Sequence, residues 1–331
     1  MATATLDVVG IGNAIVDVLV QADDAFLTTH GLAKGTMTLI DAARADALYA
    51  AMGPGVEESG GSAGNTMAGI ASLGGSGAYI GKVRNDQLGE VFRHDITAIG
   101  VRFATTPARS GPPTARSFIL VTPDAQRTMN TFLGACVDLG PEDIDHEIIE
   151  AAQVTYLEGY LFDPPRAKEA FRKAAQLAHS AGRRVSLSLS DPFCVGRHRA
   201  EFRDLVRHHV DILFANEAEI CSLYETEDFD EAMRLVRRDC DVAALTRSER
   251  GSVVVTSDHA HMIEAARVAQ VVDTTGAGDL YASGFLFGLT HGRDLATCGR
   301  LGSLCAAEAI SHFGARPAQD LAALARHAGL L

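Results

Sequence analysis

The chain has 331 residues with 42 acidic and 29 basic side chains, a formal charge of −13 with histidine neutral. That balance excludes a protein that coats nucleic acid, which needs a net basic surface to neutralise phosphates. With 47% hydrophobic residues, 32 glycines and only 10 prolines, it carries ample material for a buried core and neither the collagen period nor a low-complexity linker.

Residues 6–12 read as a buried strand running into glycine turns, and 15–20 as a second strand in which Asp17 is the polar exception. Asp41 is placed to cap a helix over 42–52 that ends at Gly53-Pro54. A helix over 63–73 stops at Gly74-Gly75, and 78–81 is a short strand. From 114 to 139 the pattern changes, and 115–122, a Pro123-Asp124 turn and 127–133 predict an antiparallel hairpin. Together with the strand around Asp17 and residues 37–40, it predicts a small sheet beside the main domain. Strands at 154–157, 184–189, 212–215, 242–246 and 253–256 then alternate with helices at 165–181, 200–208, 279–290 and 295–312. Such alternation predicts an α/β fold with a doubly wound, mainly parallel sheet flanked by helices.

The six cysteines contain no Cys-x-x-Cys pair, so reduced, buried thiols are expected. The N-terminus lacks a basic segment, and the first apolar run is broken by Asn13 and Asp17 before it could span a bilayer. The expectation is a cytoplasmic protein with neither membrane nor nucleic acid as partner, as a monomer or homodimer.

Asp273-Thr-Thr-Gly-Ala-Gly-Asp279 is the most informative stretch, because an apolar helix follows it. Gly276, Ala277 and Gly278 can turn their N–H groups toward one point at the helix start, where unpaired donors and the helix dipole favour an anion. A carboxylate there, Asp279, repels phosphate and suits proton acceptance from an attacking hydroxyl. Asp17 is expensive to bury unpaired, so either a ligand or a local structural network must satisfy it, and a vicinal diol would supply two donors at once. Gly60, Gly61 and Gly64 let the backbone close on a ligand beside Asn65. Competing motifs fail: Gly10-Ile-Gly12-Asn-Ala-Ile15 lacks the third glycine of a dinucleotide site, no P-loop occurs, and no metalloprotease or nucleophile-elbow motif is present.

The 273–279 pattern resembles the signature of the ribokinase/PfkB family of sugar and nucleoside kinases, and three further motifs follow suit in order. Gly60-Gly-Ser62-Ala-Gly64-Asn65 is similar to the family's amino-terminal signature, which holds substrate hydroxyls; Asn13 and Asp17 match its first strand; Asn216-Glu-Ala-Glu219 matches its N-x-x-E motif near magnesium and phosphate. Thr246-Arg-Ser248-Glu-Arg-Gly251 resembles the nucleotide-binding turn, with Ser248 where glycine is common. The resemblance implies a single ribokinase-like domain over 1–331, with a lid formed by approximately 13–40 and 103–133. It implies ATP and Mg2+, the latter near Asn216 and Glu219, and K+ on carbonyls around Asp273, Thr275 and 309–314. Gly12 and Gly35 are the expected hinges.

Within the family, residues 124–135, 156–160 and 189–193 look most like the adenosine kinase branch. That implies a lid arginine, here Arg127, closing on the transferred phosphate, and apolar residues sandwiching a purine, for which Met37, Leu133 and Phe162 are candidates. The expected reaction is adenosine to AMP. A kinase acting on ribose, fructose or a related sugar is the alternative, and a non-catalytic ligand-binding protein on the same fold is the alternative from another class.

Overall fold

β1 (Leu6–Ile11) buries its last five residues in succession, the pattern of a strand covered on both faces. The computed structural model describes residues 3–124 and 126–331; Met1, Ala2 and Ala125, which fall in the expected span 1–331 and lid segment 103–133, lie outside the described residues. After β1 come β2 (Ile15–Gln21), α1 (Asp24–Thr29), β3 (Met37–Leu39), α2 (Ala42–Ala51), β4 (Val56–Ser59), α3 (Ser62–Ser72), β5 (Gly77–Ile80), α4 (Gln87–Ala98) and β6 (Arg102–Phe103). A hairpin of β7 (Ala115–Val121) and β8 (Arg127–Phe132) precedes α5 (His146–Ala151), β9 (Ala152–Glu158), α6 (Pro165–Ser180), β10 (Arg184–Ser188), α7 (Pro192–His209) and β11 (Ile212–Asn216). The chain closes with α8 (Glu217–Tyr224), α9 (Phe229–Val236), β12 (Val242–Thr246), β13 (Ser252–Val255), β14 (Ala260–Ile263), α10 (Ala277–Thr290), α11 (Leu295–Ala309) and α12 (Leu321–His327).

The large sheet runs β14-β13-β12-β11-β10-β9-β1-β5-β6, parallel from β12 to β6 and antiparallel at the β12-β13-β14 edge. Strand order reverses between β1 and β9, which is where the carboxyl ends of an open α/β sheet leave a crevice. Adjacent residues of β1 serve opposite layers: Val9 joins Leu157, Phe171 and Leu187 under α6 and α7, and Val8 joins Met67, Tyr79 and Phe285 under α3 and α10. Each such fully buried side chain contributes roughly 1.5–3 kcal/mol. The four buried and two half-buried cysteines are all free. Among the described residues no helix is long and apolar enough to cross a membrane.

The second sheet is β3-β8-β7-β2-β4. It contains the expected hairpin and the strands around Asp17 and 37–40, but its boundaries differ: β4 joins it from outside 13–40, and Arg102–Phe103 pairs with β5 in the large sheet instead. Two helices also differ. The one expected over 200–208 starts at Pro192, capped by Asp191 and bent at His198, because proline at the first turn lacks only an N–H that would be unpaired anyway. The one expected over 295–312 ends at Ala309, and the carbonyl of Ile310 instead accepts from Val272 N at 2.8 Å.

Candidate functional site

Where β1 and β9 end side by side, Glu158 stands 1% exposed and accepts from Asn13 Nδ2 at 2.7 Å, Asn13 N at 3.3 Å and Ala63 N at 2.8 Å. It holds Asn13 and the first turn of α3, whose N-cap, Gly61, has no side chain to do so. Burial pushes the Glu158 carboxyl up to about 7 against the pull of those three bonds. A Cβ on Gly12 would lie 2.2 Å from Glu158 Oε2, so Gly12 is pinned by this acid. Sequence reasoning missed Glu158, although an acid closing an apolar strand carries the same signal as Asp17.

The N-termini of α3 and α10 converge on Asp279. Ser62 Oγ donates to Asp279 Oδ1 at 2.6 Å and Asn65 Nδ2 to Oδ2 at 3.0 Å. Burial raises the Asp279 carboxyl to about 6, and these two bonds oppose the rise. Ser62 and Asn65, expected to hold substrate hydroxyls, thus spend donors on the candidate base, while Asn65 Oδ1 is buried without a partner. Gly276 opens the helix at φ +76 with no side-chain cap, and a Cβ there would lie 2.6 Å from Ala315 O. Of the three amides in the turn, Ala277 N reaches Thr274 O at 3.3 Å; Gly278 is exposed with open space before it.

Asp17 lies beside this pair on β2. Burial, then the facing Glu58, raise it to about 7, with Arg316 and Arg127 opposing. Its carboxylate packs on Gly60, where a Cβ would stand 2.1 Å from Oδ2; Gly61, at φ +83, has Asn13 O at 2.3 Å from the same position; Gly64 leaves 3.8 Å to Arg316 Nη2. Glycine at 60 makes room for the Asp17 carboxylate and glycine at 61 for the Asn13 carbonyl, while Gly64 borders Arg316 at ordinary contact distance.

The apolar candidates separate. Phe162 is 1% exposed and stacked on Phe202 at 4.3 Å between ring centroids, so it is a core residue and offers no face to a ligand. Met37 is 42% exposed on edge strand β3, and Leu133 packs against the Ile15, Ala115 and Cys136 cluster.

Asn216 and Thr246 close the neighbouring strands β11 and β12 in register. Asn216 and Glu219 cap each other: Asn216 Nδ2 donates to Glu219 Oε1 at 2.7 Å, Asn216 N to Oε2 at 2.9 Å, and Glu219 N to Asn216 Oδ1 at 2.9 Å. Glu219 is 6% exposed, and burial raises it to about 7. Beyond Thr246, Ser248 takes φ +51, which explains why glycine suits that position, and Gly251 takes φ +78. Arg247 and Arg250, which sequence reasoning missed, both pair with Glu217 beside this turn.

Asp273 ties two loops together. It accepts from Thr275 N and Gly314 N, each at 3.0 Å, and pairs with Arg127 Nη1 at 3.1 Å. Arg127 therefore reaches from the second sheet to the foot of the glycine turn, its guanidinium 5.2 Å from the Phe313 ring centroid and its Nε without a hydrogen bond.

The pfkB family carbohydrate kinase model matches residues 36–321. The chain is 58% identical to the adenosine kinase of Sinorhizobium meliloti, with a TM-score of 0.92 over 98% of this chain and 100% of that one. It is 53% identical to a probable sugar kinase from Rhizobium etli CFN 42, with a TM-score of 0.94 over 99% and 100%. Adenosine kinase from Saccharomyces cerevisiae is 27% identical over 94% of this chain and 96% of the yeast protein. A ribokinase-like α/β fold, matched over most of its length by the family model, places this chain among the pfkB family carbohydrate kinases, phosphotransferases that act on a hydroxyl acceptor.

Proposed function

We propose that the protein transfers the γ-phosphoryl group of ATP to the primary hydroxyl of a nucleoside, converting adenosine to AMP, with Asp279 as general base. The observation that carries this reading is the Asp279 carboxylate, held by Ser62 and Asn65 at the meeting of two helix N-termini and raised by burial to about 6. A base of that strength is ionised at neutral pH yet basic enough to accept a proton as the hydroxyl attacks. Asp17 accepts from the vicinal hydroxyls of the ribose, and Asn65 Oδ1 and Asn13 line the same space. The N–H groups of Gly276 and Gly278, at the positive end of α10, stabilise the charge that develops on the transferred phosphoryl group.

On the nucleotide side, Asn216, Thr246 and Gly251 bind ATP. Asn216 and Glu219 would hold Mg2+ through water, since their mutual hydrogen bonds leave oxygen lone pairs but no bare cage, and the ion would supply neutralising charge at the phosphates. Thr275 and 309–314, brought together by Asp273, would offer carbonyls to K+, whose field would add to the positive end of α10. The second sheet acts as the lid: Arg127 leaves Asp273 for the phosphoryl group, and closure excludes water.

A free sugar is the second reading, favoured by the burial of Phe162, which leaves only Met37 and Leu133 of the expected purine walls. A panel of adenosine, other nucleosides, ribose and fructose with ATP and Mg2+ decides between them. Adenosine is expected to exceed either sugar in kcat/KM by at least ~10²-fold, because a sugar leaves the apolar walls unfilled. Preference for fructose or ribose would overturn the nucleoside assignment.

A further inference from the structure

Directly opposite Asp17 on β4 stands Glu58, its register partner, so two carboxylates face one another across an antiparallel pair. Like charges in that relationship repel, and burial enlarges the cost. Two arginines act on the pair, Arg316 ahead of Arg127 at Asp17. Arg127 already pairs with Asp273 at 3.1 Å. Arg316 is uncommitted: Nε and Nη2 are buried without a hydrogen-bond partner, and it forms no ion pair with a described residue.

One glycine is required by this charge cluster and two others border it. Asp17 rests on Gly60, the Nη2 of Arg316 lies 3.8 Å from where Gly64 would carry a Cβ, and Glu58 Oε1 lies 3.8 Å from the same point on Gly314, at φ +102 in the loop that carries Arg316. Around Arg316 the charged and titratable groups are Glu58 from β4, Asp17 from β2, Asp95 from α4 and Tyr79 from β5; Asp17 also faces Arg127 from β8 and Asp279 from α10.

We propose that Arg316 is a positioning residue for the acceptor: its guanidinium is the counter-charge that lets Asp17 and Glu58 face each other, keeping the Asp17 carboxylate an acceptor of two hydroxyl protons. A protonated Asp17 would turn one of its oxygens into a donor and lose half of that grip. The inference rests on the reading of Asp17 as the diol ligand.

The test uses whichever acceptor the wild-type enzyme phosphorylates best, so it survives an error about adenosine. At pH 6, below the Asp17 value of about 7, Arg316→Gln is expected to raise the acceptor KM by about tenfold, the scale of one unit in a carboxyl pKa, with kcat and the KM for ATP within about twofold of wild type at the same pH. Arg316→Lys should stay near wild type. Adding Glu58→Gln to Arg316→Gln should bring the acceptor KM back to within about threefold of wild type, because the charge that Arg316 offsets is then gone. An unchanged acceptor KM, an equal rise in the KM for ATP, or no rescue by Glu58→Gln overturns the proposal. If Arg316→Gln does not fold, Glu58→Gln alone decides: it must lower the acceptor KM at pH 6 and leave it unchanged at pH 8.5, and no change at pH 6 refutes the role. Asp17→Asn separates the two levels, since an unaltered acceptor KM there removes the diol assignment itself.

Discussion

Ser62 Oγ donates to Asp279 Oδ1 at 2.6 Å, joining the first residue of α3 to the first turn of α10 across 217 positions of chain. Two positive helix ends therefore meet at one carboxylate, and their field favours its ionised form while burial disfavours it. The balance leaves Asp279 ionised at neutral pH without making it inert.

Asp279→Asn keeps the size of the side chain and removes its basicity. Its kcat is expected to fall by ~10² or more with the acceptor Kd nearly unchanged, as for loss of a general base. Steady-state kinetics alongside calorimetric binding checks this, and a variant that retains its turnover rules out the base.

The pH profile gives a second handle. The base must be ionised, so kcat should fall as pH drops through about 6. Ser62→Ala removes a hydrogen bond that favours the ionised form, so the acid limb should move to higher pH, by roughly half to one unit for one charge-assisted bond. A limb that stays in place would mean another group controls it.

The Asp17 carboxylate makes no hydrogen bond with a described residue, so nothing but the arginines opposes the cost of burying its charge. Its folded-state value of about 7 lies above the ordinary 3.8. A raised carboxyl binds more protons in the folded than in the unfolded state, so its contribution is fully present below about 4 and is lost as pH rises through about 7. Asp17→Asn should therefore stabilise the ligand-free protein at pH 8 by roughly 1–3 kcal/mol, with the gain fading toward pH 4, and should abolish tight acceptor binding. Thermal melts at both pH values decide it; equal Tm shifts would show that the charge is not what matters.

Much of this was legible in the chain because its cues are local. Alternating strands and helices specify the doubly wound sheet, and the glycine turn before Asp279 marks the start of α10. The unread parts depend on residues distant in sequence. Val56-Glu-Glu-Ser59 carries two adjacent acids and looks like a solvated loop, yet it becomes β4 because β2 offers it an edge. Arg316 sits in a Gly-Ala-Arg-Pro turn with no periodicity, and only its insertion toward Asp17 and Glu58 gives it meaning. Phe162 belongs to the core because α6 and α7 close over it, a packing outcome that no local pattern announces.

The two glycines ahead of α3 should fail differently. Gly60→Ala forces a Cβ into the Asp17 carboxylate, 2.1 Å away, so it should raise the acceptor KM by ~10-fold or more and leave the KM for ATP alone. Gly61→Ala meets main chain, Asn13 O at 2.3 Å, from a residue at φ +83, and should cost about 2–4 kcal/mol in a thermal melt. A melt as stable as wild type for Gly61→Ala would mean the α3 entry is more pliant than this geometry allows.

Glu158 supplies the last separation, between holding the site together and contacting the substrate. Removing it in Glu158→Ala leaves Asn13 N, Asn13 Nδ2 and Ala63 N without an acceptor inside a buried cavity, each at about 1–3 kcal/mol, so the variant should be strongly destabilised. Glu158→Gln keeps the volume and can still accept from Ala63 N, but its amide opposes that of Asn13, which must turn over to pair with it. Stability should then fall much less than in the alanine variant, while the acceptor KM rises because Asn13 no longer presents the same atoms to the crevice. The measurement is the pair of quantities together: if Glu158→Gln loses stability as severely as Glu158→Ala with no selective rise in the acceptor KM, Glu158 serves the core of the fold and does not orient Asn13 for substrate.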